Sequence, residues 1–591
     1  MKKKYLRSKE WFDNPKDPGL TALYLEKYLN YGLKRNDLQS GKPIIGIAQS
    51  GSDLSPCNRH FQALSKTIKD GIREAGGVPM EFPTHPIQET GKRPTAALDR
   101  NLSYLSLVEV LYGYPIDGVI LTTGCDKTTP AALMAAATVN IPSIVLSGGP
   151  MLDGSYKGKK AGSGTIIWEA RRLHAKGEIN YEEFMDMAAA SAPSIGHCNT
   201  MGTASSMNSI AEALGMSLTG GAIIPAPYKE RNSISFKTGQ RIVEMVHENL
   251  TPSKIMTKKA FENAIYVASA IGASSNCPPH LTAIARHMGV DFGIDNWEKL
   301  GHDIPLLVNC QPAGEHLMEG FFKAGGIPAV MQELMKNQKL HKDLITVTGK
   351  TVEENLKEKI NVDENIIKSF KNPLVKNAGF IVMKSNFFSS AVMKTSVISS
   401  EFRKRYLSNP TSPNLFEANA VVFEGPEDYH LRINDKSLKI DENSILMIRG
   451  CGPVGYPGSA EVVNMQPPDK LLKEGINTLP TLGDGRQSGT SESPSILNVS
   501  PESAIGGDLL IIQTGDKIKI DLNNSRIDLM ISNEEIENRR KNVKIPKLKN
   551  QTPWQEISRK MVGQLETGAC LETESLYLDI TNTKGMPRHS H

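Results

Sequence analysis

The chain has no run of eighteen apolar residues, roughly the length that a membrane-spanning helix needs. The longest candidate, residues 131–146, is interrupted by Asn140 and Pro142. The start, Met1-Lys2-Lys3-Lys4-Tyr5-Leu6-Arg7, lacks the apolar stretch of a secretory signal, so a cytoplasmic location is expected. Cysteine is sparse. Seven in 591 residues, an odd number spread thinly, argue against a disulfide framework and suit reduced thiols that bind metal or do chemistry. Excess charge of one sign is scarce as well: a formal net charge of +4 leaves no electrostatic footprint for nucleic acid. The most basic stretch, 539–549, has no interleaved aromatics, contains Pro546 and follows the acidic 533–537 segment, so it reads as a solvated connector. Glycine-rich Ser147-Gly148-Gly149-Pro150 and Gly162-Ser163-Gly164 lack the Gly-x-Gly-x-x-Gly and Walker spacings, so they make a poor case for a nucleotide site. There is no internal repeat and no low-complexity segment.

What is present is alternation. A chain this long exceeds one hydrophobic core, so two or more domains are expected. Residues 43–48 read as a buried strand, followed by a polar loop with Cys57, a helix over 59–75 closed by Gly76-Gly77, and a strand over 78–82. A second unit repeats the pattern: helix 96–112, strand 118–122, the Cys125 loop, a helix that Thr129 caps and Pro130 begins, and strand 143–147. Such alternation predicts a parallel sheet covered by helices. Further helices are predicted over 181–190, 204–214 and 233–248. After about residue 375 short strands take over, at 379–383, 420–423, 444–449, 509–513 and 517–521. Asn523-Asn524 joins the last of these to 527–531 as a hairpin, and one helix follows at 554–565. The fold expected is α/β: an N-terminal parallel-sheet α/β domain (1–375) followed by a smaller C-terminal β-barrel-like domain (376–591).

Three cysteines sit in polar loops between a periodic segment and a helix: Cys57 in Ser55-Pro56-Cys57-Asn58, Cys125 in Gly124-Cys125-Asp126-Lys127-Thr128-Thr129-Pro130, and Cys198 in Gly196-His197-Cys198-Asn199-Thr200. Three separated thiolates can hold an iron–sulfur cluster with one iron position open. Zinc would also accept three cysteines and a water, and the intervals of 68 and 73 residues favour neither metal over three unrelated core cysteines. Carboxylates form a second set: Asp126 beside Cys125, Glu89 after the 78–82 strand, and Glu461 after Gly455-Tyr456-Pro457-Gly458-Ser459-Ala460. Carboxylates with waters suit Mg²⁺, although each one singly reads as a surface acid or cap. Ser488 lies in the turn Gly483-Asp484-Gly485-Arg486-Gln487-Ser488-Gly489-Thr490-Ser491. A serine serves as a base only where a nearby cation stabilises its alkoxide.

These segments resemble the motifs of the dihydroxy-acid dehydratase and phosphogluconate dehydratase family, in the family's order from about residue 40 to the end. Within it the chain is similar to the aldonic-acid branch. His85-Pro86-Ile87-Gln88-Glu89-Thr90-Gly91-Lys92-Arg93-Pro94-Thr95, Asn386-Phe387-Phe388-Ser389-Ser390 and the tail Pro587-Arg588-His589-Ser590-His591 carry that likeness. The resemblance implies that Cys57, Cys125 and Cys198 bind a [2Fe–2S] cluster. Glu89, Asp126 and Glu461 would hold Mg²⁺, with Lys127, carbamylated, as a further ligand. Ser488 would be the base, with Thr490 and His591 near substrate. It further implies a homodimer or homotetramer that dehydrates a sugar acid to a 2-keto-3-deoxy acid. D-xylonate is the expected substrate; L-arabinonate, D-gluconate and a branched-chain dihydroxy acid are the alternatives, and a non-catalytic sugar-acid-binding protein is the reading from another class. One departure stands out: Gly272-Ala273-Ser274-Ser275-Asn276 replaces the family's Gly-Gly-Ser-Thr-Asn, and is expected to reshape the substrate end of the pocket.

Overall fold

The computed structural model describes residues 6–30, 32–573 and 587–588; His591 lies outside them. Strands β1 (Ile44–Gln49), β2 (Val78–Pro83), β3 (Gly118–Thr123) and β4 (Ser143–Ser147) pair in parallel in the order β2-β1-β3-β4. β1, β3 and β4 are buried along their whole length, as parallel strands covered on both faces are. Helices Phe61–Glu74, Ala97–Gly113 and Thr128–Val139 make the crossovers. The chain leaves β1 for β2 on one side and returns to β3 on the other. The loops after β1 and β3 therefore diverge, which opens a crevice at the carboxyl ends of the strands. Those loops carry Cys57 and Cys125.

A small antiparallel pair, β5 (Gly154–Tyr156) and β6 (Lys159–Ala161), precedes the helix Thr165–Lys176. Helices Thr203–Ala213, Lys229–Glu248, Lys258–Ala270 and Cys277–Met288 then share one core with the sheet, through side chains such as Ile47, Ile120, Leu133, Met207, Phe261 and Leu281.

Eight strands close a barrel: β7 (Phe380–Ser385), β8 (Ser390–Lys394), β9 (Leu415–Phe423), β10 (Ser444–Ile448), β11 (Thr481–Gly483), β12 (Ile496–Ser500), β13 (Lys517–Asp521) and β14 (Arg526–Leu529), in the cyclic order β10-β11-β12-β8-β7-β14-β13-β9. Alternate residues fill its interior, among them Ile381, Ala420, Met447, Ile518 and Ile520. On the outer face Phe380, Val382 and Val392 join the core of the N-terminal half, with Phe380 edge-on to Trp297 at 5.3 Å. The barrel thus leans on the helical layer through β7 and β8. Late in the chain Trp554 Nε1 donates to Leu98 O at 3.0 Å and Arg100 Nη2 donates to Gly568 O at 2.8 Å, so the C-terminal segment returns to the first half.

The parallel sheet and the barrel agree with expectation, and the helix Tyr181–Ala190 and the β13–β14 hairpin form as the pattern predicts. Several details differ. Residues 509–513 are not a strand; Asp508–Ile511 form a 3-10 turn, because Gly506 and Gly507 break the backbone just before them. The helix that Pro130 was expected to begin starts at Thr128 instead. Its Thr128 Oγ1 accepts from Gly124 N at 3.1 Å, so Thr128, not Thr129, ties the turn. The helix predicted over 554–565 ends at Met561. Strands β8, β11 and β12 were not foreseen.

Candidate active site

Cys57 lies on a single 3-10 turn, Pro56–Asn58, after β1, and Cys125 lies directly after β3. The two loops are sewn together by Asn58, whose Oδ1 accepts from Cys125 N at 2.8 Å. Gly124 permits this approach, since a Cβ there would stand 2.3 Å from that oxygen. The neighbouring Cys125 draws the Cys57 thiol down, while Cys57 and burial push Cys125 well up. Gln88 Nε2 donates to Cys57 Sγ at 3.3 Å. Cys198, in the loop before the 203–213 helix, accepts from Ser163 Oγ at 3.3 Å; burial first, and then the charge on Cys57, push its thiol to about 12. All seven cysteines are free.

Asp126 connects the thiols to the carboxylates, since Cys125 Sγ lies 3.4 Å from its Oδ1. The carboxylates converge on one buried ammonium. Lys127 Nζ is 3.1 Å from Glu89 Oε2, 3.1 Å from Asp126 Oδ2 and 4.0 Å from Glu461 Oε1. Arg486 supplies a second cation, with Nη2 3.1 Å from Glu89 Oε1 and Nη1 2.9 Å from Glu461 Oε1. Burial would raise the Glu89 carboxyl, but Lys127 and Arg486 overcome it and hold the group at about 2. Glu461 goes the other way: burial and the neighbouring Glu89 charge push it to about 7. Burial also raises Asp126. Burial opposes the charge on Lys127, yet Asp126 and Glu89 outweigh it and keep the ammonium.

The two C-terminal signatures reach this centre as a pair. Arg486 N donates to Ala460 O at 2.8 Å and Val463 N to Arg486 O at 3.1 Å, so Glu461 is held beside the Ser488 turn. Asp484 fastens the turn from beneath, accepting from Cys451 N at 2.8 Å and Ser503 N at 3.0 Å. Ser488 Oγ is 2.9 Å from Thr490 Oγ1 and accepts from Thr490 N at 3.3 Å. Asn276 bridges the halves, donating to Glu461 Oε1 at 2.7 Å and to Gln487 O at 3.2 Å. A cavity of about 290 Å³ opens onto Glu89 and Glu461 past Thr95, Glu427, His430 and Tyr456.

The structure therefore gathers Cys57, Cys125, Cys198, Glu89, Asp126, Lys127 and Glu461 at one buried centre, with the Ser488–Thr490 pair on the adjoining turn. Among the described residues no three His, Cys, Asp or Glu side chains already stand as a finished metal cage; the carboxylates close instead on Lys127. Sequence reasoning gave no role to Arg486, Asn276, Thr95 or Gln88. Arg486 stood inside a quoted motif, where an arginine reads as a turn residue. In the altered 272–276 loop Ala273 is buried in the core, and Ser275 is also buried, its Oγ without a hydrogen-bond partner among the described residues.

Removing one member of a buried ion pair costs about 3–5 kcal/mol, since the other charge is left uncompensated. Arg486→Met is therefore expected to lower the thermal unfolding temperature by several degrees. An unchanged transition in calorimetry would mean that the Glu89 and Glu461 pairs contribute nothing.

Two family models cover most of the chain: dihydroxy-acid/6-phosphogluconate dehydratase N-terminal over residues 42–355, and its C-terminal counterpart over 365–569. The chain is 60% identical to D-xylonate dehydratase of Caulobacter vibrioides, over 99% of this chain and 98% of that protein. It is 44% identical to L-arabinonate dehydratase of Rhizobium leguminosarum bv. trifolii, over 90% of each. It is 35% identical to dihydroxy-acid dehydratase of Acetivibrio thermocellus, over 91% of this chain and 96% of the relative.

Proposed function

The chain belongs to the dihydroxy-acid/6-phosphogluconate dehydratase family, and from that premise we propose that it removes water across C2 and C3 of an aldonic acid, D-xylonate foremost, to give a 2-keto-3-deoxy acid. The observation that carries this reading is the meeting of three free thiols, three carboxylates around a buried cation, and a serine–threonine pair in one crevice. The near-complete match to a D-xylonate dehydratase supports the substrate. Such an elimination is hard for two reasons: the C2 proton is weakly acidic, and hydroxide leaves poorly.

The residues fit the two groups that the family resemblance implies. Cys57, Cys125 and Cys198 are free, with Cys57 shifted by Cys125 and acting on both of the others, a donor set suited to a [2Fe–2S] cluster with one open iron. Such a cluster supplies a Lewis acid for the C3 hydroxyl. Glu89, Asp126 and Glu461 already converge on a cation, the Lys127 ammonium, as an oxygen set for Mg²⁺ would. Mg²⁺ supplies charge that acidifies the C2 hydrogen beside the substrate carboxylate. Lys127, as a carbamate, would exchange its positive charge for a further oxygen donor.

The remaining work falls to the chain itself. Ser488 Oγ takes the C2 proton, and Thr490 stabilises that oxygen with its hydroxyl and backbone N–H. Arg486 and Asn276 hold Glu461 in place. His591, outside the described residues, is assigned to the substrate side of the site. The working enzyme is proposed to be a cytoplasmic homodimer or homotetramer, measurable by light scattering.

The test is a panel of D-xylonate, L-arabinonate, D-gluconate and a branched-chain dihydroxy acid, with keto-acid product measured for each on anaerobically prepared protein. The expected order places D-xylonate highest in kcat/KM and the branched-chain acid lowest. No keto acid from any aldonate would defeat the proposal.

A further inference from the structure

Thr490 is clamped by two glycines. A Cβ on Gly164, whose φ is +81°, would stand 2.4 Å from Thr490 Oγ1, and one on Gly202 would stand 3.1 Å from Thr490 Cγ2. The β-branched side chain is thereby held with both its oxygen and its methyl against Gly164, at the start of the 165–176 helix, and with the methyl also against Gly202. That oxygen meets two groups, Ser488 Oγ at 2.9 Å and Trp168 Nε1 at 3.1 Å. An indole N–H can only donate, so Thr490 Oγ1 accepts from Trp168 and its own proton stays available; a Ser488 alkoxide can only accept, so toward it Thr490 is the donor. The guanidinium of Arg171 lies over the indole at 4.7 Å. A cation on the ring face draws electron density from the ring and makes its N–H a stronger donor.

We infer that Trp168 is a positioning residue for the proton-abstracting serine: its indole N–H fixes the Thr490 hydroxyl in the orientation that donates to Ser488 Oγ. Donors in a chain polarise one another, so the oxygen that must carry negative charge is stabilised from two bonds away. The Gly162-Ser163-Gly164 turn, which in sequence makes a poor case for a nucleotide site, serves here to let the helix reach Thr490. This inference rests on the reading of Ser488 as base.

Trp168→Phe keeps an aromatic ring and removes only the N–H donor. It is expected to lower kcat about tenfold, less than the roughly 10²–10³-fold loss for a donor that touches the oxyanion itself, with KM, iron content and visible absorption unchanged. The isotope effect on kcat with C2-deuterated substrate should rise as proton removal becomes slower. In a Thr490→Val background Trp168→Phe should cost nothing more, because the two residues act as one unit. Thr490→Val, which keeps the shape, should lose more activity than Thr490→Ser, which keeps the hydroxyl. Additive losses, or equal losses for Val and Ser, with Ser488→Ala inactive, would overturn the relay alone. A Ser488→Ala enzyme that still turns over would overturn the base assignment and the relay with it.

Discussion

Ser488→Ala is expected to lower kcat by roughly 10²–10⁴-fold, the range of a general base in proton transfer, while iron content and visible absorption stay as in the parent protein. The separation is physical. Ser488 Oγ contacts Thr490 through two hydrogen bonds, and no hydrogen bond joins it to a thiol or to Glu89, Asp126 or Glu461. Removing one oxygen from a half-buried turn leaves the cysteine loops untouched, since they are fixed by Asn58, Gln88 and Ser163. A serine is an unusual base because its hydroxyl is a very weak acid. Here Thr490 offers two donors to the oxygen, and Arg486, two residues earlier in the chain, and Lys127 are buried cations of the adjoining carboxylate centre. These are the features that favour an oxyanion. Exchange of the substrate C2 hydrogen with solvent should disappear together with turnover. A variant that still exchanged this hydrogen at the parental rate would place the base elsewhere.

The βαβ rhythm and the change to short strands near residue 375 were readable because burial imposes its period directly on the sequence: 44–49 and 118–123 are buried throughout and mostly apolar, and Ile518 and Ile520 alternate inward. β11 was not readable, since Thr481–Gly483 is three residues long and is held by pairing with β10 and β12, partners remote in sequence. The site divides in the same way. The parallel sheet predicted from alternation puts Cys57 and Cys125 at the same, carboxyl edge of the sheet; the adjacency of their strands, β1 and β3, comes from the strand order in the structure. Glu461 and Arg486 could be placed only through a bridge between two loops of the barrel half. Arg486 shows the limit most plainly. Its role comes from Glu89, 397 residues away, and no local pattern records a contact of that span. Trp168 is similar, because its meaning depends on Thr490, 322 residues later.

The second large effect concerns the cysteines, which the structure divides into two groups. Cys57→Ser, Cys125→Ser and Cys198→Ser are each expected to lose iron, acid-labile sulfide and all measurable turnover. A hydroxyl is a poor substitute for a thiolate toward iron, and these thiols act on one another: Cys125 lowers the Cys57 thiol, and the charge on Cys57 raises Cys198. Cys277, Cys310, Cys451 and Cys570 are buried away from that group. Cys310 Sγ meets Leu317 O at 3.8 Å, Cys570 Sγ meets Gly568 O at 3.8 Å, and Cys277 packs at the start of its helix beneath Ser274. Cys451 is the informative control because its backbone N–H binds Asp484, under the same turn that bears Ser488. Its thiol is pushed well up by burial and then by Asp484, Glu427 and Glu502, with none of the three loop cysteines among its charged neighbours. Cys451→Ala should therefore keep its iron and cost about 1 kcal/mol of stability, the ordinary loss for a buried substitution. Iron and sulfide analysis of the seven single variants, prepared anaerobically, decides the matter. Loss of iron in Cys451→Ala together with retention in any one of the first three would mean that the cluster is held by a different set of sulfurs.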